Sequence, residues 1–150
     1  MTTTTTLLPA PRVLEFAGNR MELLVEGRDN ARFSLVRYTV APGFAAPPAL
    51  HHHLVEDTAW LVLSGTLVIT GTDGDIEVGA GQSALIPHGT PFAWRNGSAT
   101  EPMEYLCVYA PGGFEQYFVA VTEALAQHGS LTPEIVAPLW KEYGIAVSDH

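Results

Sequence analysis

Residues 47–65, PPALHHHLVEDTAWLVLSG, decide how the rest of the chain is read. Three consecutive histidines, His51, His52 and His53, stand just before an apolar run that ends on Gly65, with Glu56 and Asp57 between. In an extended strand, residues two apart share a face, so His51 and His53 converge on one point while His52 faces away. Neutral imidazoles presented as a pair suit iron, nickel, copper, manganese or zinc. The same pair without a metal suits proton transfer near neutral pH. An H-x-H pair is weak by itself. It gains weight here from the Pro/Gly-rich loop before it and the glycine-ended strand after it.

On both sides the chain continues as short strand-like runs. NRMELLVEG (19–27), ARFSLVRYTV (31–40), TAWLVLSGTLVIT (58–70), DIEVGAG (75–81), SALIPHG (83–89), PFAWRN (91–96) and MEYLCVYA (103–110) are rich in β-branched, aromatic and leucine residues. Between them lie GRDN, APG, GTDG, GAGQ and NGSATEP, whose residues favour tight turns. Such regular spacing predicts an all-β sandwich or barrel. Gly65 and GTDGD predict a hairpin joining Trp60 to Val78.

The pattern changes after residue 111. In FEQYFVAVTEALAQHG, Phe114, Phe118, Val121 and Leu125 fall on one helical face, and Gly129 is a stop signal. LTPEIVAPLWKEYG then offers Thr132 as N-cap and Pro133 as first helical residue, with Pro138 expected to break or kink the helix. The expected plan is one domain: a leader over 1–12, a β-barrel over 13–111 and a helical tail over 112–150. No internal repeat is visible.

Sixteen acids against seven bases give a net charge of −9, which argues against nucleic-acid binding. The opening MTTTTTLLPAPR has neither a basic segment nor a long apolar one, so it does not read as a signal peptide. No window approaches the roughly 20 apolar residues of a membrane span. One cysteine, Cys107, excludes an internal disulfide and reads as a buried small hydrophobe. The expected setting is cytoplasmic.

The spacing around the histidines resembles that of the cupin superfamily, in particular the small single-barrel cupins related to quercetin dioxygenases. The resemblance covers most of the chain. Its first motif is matched by Gly43, His51, His53, Thr58 and Gly65, and its second by Gly81, Pro87, Gly89, Phe92 and Asn96. PGGFE and KEYGI are similar to the helical tail of these proteins. The resemblance implies a jelly-roll barrel and a homodimer, with an N-terminal edge strand pairing across the interface. It also implies a divalent transition metal held by two histidines and a glutamate of the first motif and a histidine of the second. His51 and His53 stand at two of those positions, but the glutamate position is Thr58 and the last histidine position is Phe92. A neutral threonine is a poor ligand and phenylalanine is none, and two imidazoles bind far more weakly than a closed set.

Neighbours do not restore the set. Asp57 is one residue off and faces the other side of the strand unless a bulge re-aims it. Glu56 has the right parity but falls in the preceding loop, and His88 belongs to the P-x-G turn at the rim. The expected cavity therefore holds His51 and His53 among Tyr38, Thr58, Trp60, Phe92, Trp94 and Tyr105, and takes a hydrophobic, aromatic or polyketide-like small molecule. With no cofactor, His51 and His53 would shuttle a proton for cyclisation, isomerisation, epimerisation or dehydration. A second reading is a dioxygenase using one divalent metal at His51 and His53 with Asp57 or Glu56. A third is a non-catalytic binder.

Overall fold

The computed structural model describes residues 4–46 and 50–148. The first three residues of the leader and residues 47–49, at the head of the histidine stretch, lie outside the described residues, as do the last two. The strands, in chain order, are β1 (Arg12–Phe16), β2 (Asn19–Val25), β3 (Ser34–Val40), β4 (His51–His53), β5 (Asp57–Ser64) and β6 (Thr66–Gly71). They continue as β7 (Gly74–Gly79), β8 (Ser83–Ile86), β9 (Ala93–Asn96), β10 (Met103–Ala110) and, after helices α1 (Glu115–His128) and α2 (Pro133–Glu142), β11 (Ile145–Val147).

One wall is a six-stranded antiparallel sheet in the order β1-β2-β3-β10-β5-β8. The other is assembled from β7-β6-β9 and the pair β11-β4. These two pieces are joined where His51 and Phe92 exchange backbone hydrogen bonds of 3.0 and 2.8 Å. Strand alternation explains the core. Met21 and Leu23 of β2, Val36, Tyr38 and Val40 of β3, Trp60 and Val62 of β5, and Tyr105, Cys107 and Tyr109 of β10 all point inward and are buried. The barrel expected from the turn spacing is the observed fold.

Three local expectations need correction. The run from Trp60 to Val78 is not one hairpin, because β5 and β6 belong to different sheets and Gly65 is the corner between them. Gly65 has φ +80°, and a Cβ there would lie 3.0 Å from the Met103 Cα, so the close approach requires glycine. The hairpin is the shorter β6–β7 pair, closed between Gly71 and Gly74. Pro138 lies inside α2 without breaking it, while Thr132 is extended at its N-cap but makes no side-chain capping bond. Finally, the tail ends in a strand. Ile145, Ala146 and Val147 pair antiparallel with His53, His52 and His51. Three residues are too few to show a period, and the strand forms because β4 offers an open edge.

Helix α1 runs as the apolar spacing requires and stops at Gly129, in the left-handed region with φ +79°. Its first residue, Glu115, is completely buried. The carboxylate accepts from the Ser34 hydroxyl, from the Gly27 and Gly113 backbone N–H groups (3.1 Å each) and from Gln116 Nε2 (3.1 Å). A Cβ on Gly27 would stand 2.7 Å from the Gly113 Cα, so backbone meets backbone here. This knot fastens the start of α1 to the β2–β3 connection, and Arg12 reinforces it through Glu26 (2.6 and 3.1 Å).

Candidate functional site

The barrel opens into a cavity of about 440 Å³ roofed by the tail. Because β4 alternates, His51 and His53 both line it, each 6% exposed, while His52 points outward with Nδ1 3.4 Å from Ser148 Oγ. Opposite them stand Thr58 and Trp60 of β5, Trp94 of β9, Tyr38 of β3 and Tyr109 of β10. Phe92 packs beside both histidines, its ring centroid 4.4 Å from that of His51 and 5.7 Å from that of His53. The tail supplies a further wall: Phe114 at the N-cap of α1, Tyr117, Phe118 and Val121 from α1, Val136 from α2 and Ile145 from β11. The Phe114 ring sits 4.4 Å from the His53 ring.

Seven residues expected from the sequence thus meet at one cavity: His51, His53, Tyr38, Thr58, Trp60, Phe92 and Trp94. Tyr105 does not. It is buried behind the wall, stacked on Tyr38 at 5.3 Å and tilted against Trp60 at 5.7 Å. Tyr109 takes the place assigned to it. The two share the inward face of β10, and the strand period does not say which end reaches the open part of the barrel. Phe114, Tyr117 and Phe118 went unassigned to the cavity because helical spacing marks a buried face without naming what it covers.

The donor set does not fit the metal that the fold implies. Thr58, 2% exposed, and Phe92 face the cavity at the two remaining ligand positions, and neither supplies a charged or imidazole donor. Asp57 keeps the parity of its strand and faces outward, accepting from the His88 backbone N–H and pairing with His88 Nδ1, both at 2.8 Å. Glu56 folds inward, but to the back of the His53 ring, with Oε1 3.7 Å from Nδ1. Among the described residues no three His, Cys, Asp or Glu side chains converge as a metal group requires.

The electrostatics follow from burial. No Asp, Glu, Lys or Arg is among the described residues lining the cavity. Desolvation pushes the phenols of Tyr38 and Tyr109 above their ordinary value, so both stay protonated at neutral pH. The Cys107 thiol, in the same layer, is pushed up for the same reason. At the rim, Asp57 is held below the usual carboxylate range by the His88 N–H and then by its ring.

The non-ligand residues of both motifs have structural work that this geometry explains. Besides Gly65 at the corner, Gly89 N–H donates to the His53 carbonyl (2.8 Å). Asn96 is buried and ties loops together, donating to the Ala41 (3.1 Å) and Glu101 (2.9 Å) carbonyls and accepting from Ser98 N–H (2.9 Å).

Comparison with known proteins agrees with this frame. Residues 36–109 match the model of the cupin domain family. Xanthan biosynthesis protein XanB of Xanthomonas campestris pv. campestris is 37% identical over 65 residues, 43% of this chain and 14% of that protein. The chain thus spans about one-seventh of the length of that relative. Among solved structures, Streptomyces Pac13 with uridine superposes with TM-score 0.57 at 21% identity, covering 77% of this chain and 88% of that one. Pac13 is a nucleoside dehydratase. KdgF from Halomonas superposes with TM-score 0.58 at 15% identity, over 70% of this chain and 92% of that one. At these identities the structures speak for the fold alone. With the barrel, both motif frames and the family match in agreement, the chain belongs to the cupin family.

Proposed function

We propose that this cupin is a small-molecule enzyme in which His51 and His53 transfer protons on an uncharged, aromatic or polyketide-like substrate, in a cyclisation, isomerisation, epimerisation or dehydration that uses no metal. The observation that carries this reading is the chemistry of the cavity wall. Among the described lining residues, the two imidazoles are the only groups suited to exchanging protons near neutral pH, and nearly everything else is aromatic or aliphatic. A volume of about 440 Å³ admits a molecule of one to three fused rings. With no Lys or Arg among the described lining residues, phosphates and carboxylates, which need a paired countercharge when desolvated, are disfavoured.

The roles follow from the geometry. The aromatic walls stack on the substrate and exclude water, which strengthens polar interactions inside. The Thr58 hydroxyl, on the cavity wall, can donate a hydrogen bond to a carbonyl or hydroxyl oxygen. One histidine removes a proton from carbon while the second returns one elsewhere on the same molecule. Their ring centroids are 5.7 Å apart, close enough for both to reach one ring of a substrate from the same side. The fold of a nucleoside dehydratase supports the view that such a barrel can host elimination chemistry.

The test uses 2-tetralone, a bicyclic ketone with acidic α-hydrogens. In D2O the protein should exchange those hydrogens well above the buffer rate, as followed by proton NMR. The His51→Ala/His53→Ala variant should fall to the buffer rate while still quenching tryptophan fluorescence on binding. Exchange that survives in the double variant refutes the assignment, and binding without exchange by the wild type favours a non-catalytic binder.

A further inference from the structure

The loop between β4 and β5 is inverted relative to its chemistry. Leu54 and Val55 are 58% and 55% exposed, whereas the Glu56 side chain beside them is only 12% exposed. Apolar side chains in water and a carboxylate folded inward is the costly arrangement, so the position of Glu56 calls for a reason. Its Oε1 points at Nδ1 of His53, 3.7 Å away. Both atoms are shut off from solvent, and neither has another hydrogen-bond partner among the described residues. A shift of roughly 0.8 Å brings them to an ordinary N–H···O distance.

We infer that Glu56 is a positioning residue that holds His53 in the Nδ1–H tautomer, which assigns the proton-accepting role to His53 rather than His51. This rests on the reading of His53 as a proton-transfer group. Glu56 does not line the cavity and lies behind the ring, so it acts only through the imidazole. With Nδ1–H committed to the carboxylate, Nε2 keeps its lone pair for the cavity side. In the exchange step, the substrate α-C–H bond breaks and its proton bonds to Nε2. The electron pair moves onto the carbonyl oxygen as an enolate; the proton on Nε2 exchanges with D2O, and the deuteron that replaces it is returned to carbon, leaving His53 neutral again. The carboxylate stabilises the imidazolium formed in between, and packing by Phe114 and Phe92 keeps the ring from turning away. Glu56 is two residues before the position that carries the family's metal-binding glutamate, and its placement behind the ring fits this role and not that one.

The experiment is a long-range proton–nitrogen correlation spectrum of the full-length protein labelled with 15N-histidine, with His53 assigned through His53→Gln. The wild type should show a protonated Nδ1 and an unprotonated Nε2 at His53. Glu56→Ala should move His53 toward the Nε2–H form while circular dichroism stays unchanged. With 2-tetralone the same variant should lose about 10- to 100-fold in kcat with little change in KM, by analogy with the loss on removing the carboxylate behind a metal-bound histidine. Glu56→Asp, which keeps a shortened carboxylate, covers the case in which the alanine variant fails to fold, and it should show a partial shift. An identical His53 tautomer in wild type and variants overturns the inference. If the wild type does not exchange 2-tetralone at all, the tautomer measurement still decides Glu56, and the two failures are separable.

Discussion

Replacing Glu115 tests the link between the buried knot and the cavity. Glu115→Ala removes a carboxylate with no solvent exposure that accepts four hydrogen bonds. Gly113 N–H keeps a second acceptor, Ser34 Oγ at 2.7 Å, and the Gln116 amide keeps Glu26 Oε1 at 3.1 Å. The Ser34 hydroxyl hydrogen and the Gly27 N–H are left without an acceptor. Each stranded buried donor costs about 1–3 kcal/mol, partly offset because a buried charge disappears as well. The expected loss is about 2–4 kcal/mol, or a fall in Tm of roughly 5–15 °C for a domain of this size. Urea unfolding monitored by tryptophan fluorescence measures it, with Glu123→Ala on the exposed side of α1 as control, expected within about 0.5 kcal/mol of wild type. Because Glu115 follows Phe114, whose ring packs on His53, the variant should also weaken 2-naphthol binding in the cavity. A Glu115→Ala protein as stable as the Glu123→Ala control would refute the reasoning.

Other outcomes follow from the same structure. Cys107, fully buried with its thiol pushed up by desolvation, should react with Ellman's reagent only at the rate of unfolding; fast modification of native protein contradicts the packing. Thr58→Glu/Phe92→His supplies the two missing donors on the cavity face, and His51 and residue 92 are already a backbone-paired couple. This double variant should retain about one equivalent of nickel after dialysis against a mild chelator, where wild type retains none; equal retention by both would mean that the native donor set was misjudged. Asp57 has a lowered folded-state pKa, so its bond to His88 contributes stability above the ordinary carboxylate range and loses it as pH falls through the lowered value. A carbon-13 titration of the Asp57 carboxyl should therefore have its midpoint below that of a solvated aspartate, and in His88→Ala the difference should shrink without vanishing, because the backbone N–H bond, its largest cause, remains.

The barrel was legible because strand burial is a local, period-two property. Tyr38, Trp60 and Cys107 fall on the inward face by counting alone. His51 and His53, Thr58 and Phe92 could be placed against one another because the glycine, proline and asparagine frame sets the turns between them, and Asp57 could be turned outward by parity. What counting could not supply was any relation across chain distance. That Gly65 is a corner between sheets depends on Met103 standing 3.0 Å from where its Cβ would be. Tyr109 lines the cavity and Tyr105 does not, because Tyr105 is packed away against Tyr38 and Trp60, although both obey the same period. The roof of the cavity, the strand at residues 145–147 and the knot at Glu115 all join distant segments, 88 residues apart for Gly27 and Glu115 and 96 for His52 and Ser148. Glu56 shows the boundary most clearly. In sequence it is an acid in a loop, two residues short of a known ligand position. Only the turn after β4 brings its carboxylate behind the His53 ring, because loop conformation is set by the ends it must join rather than by its own residues.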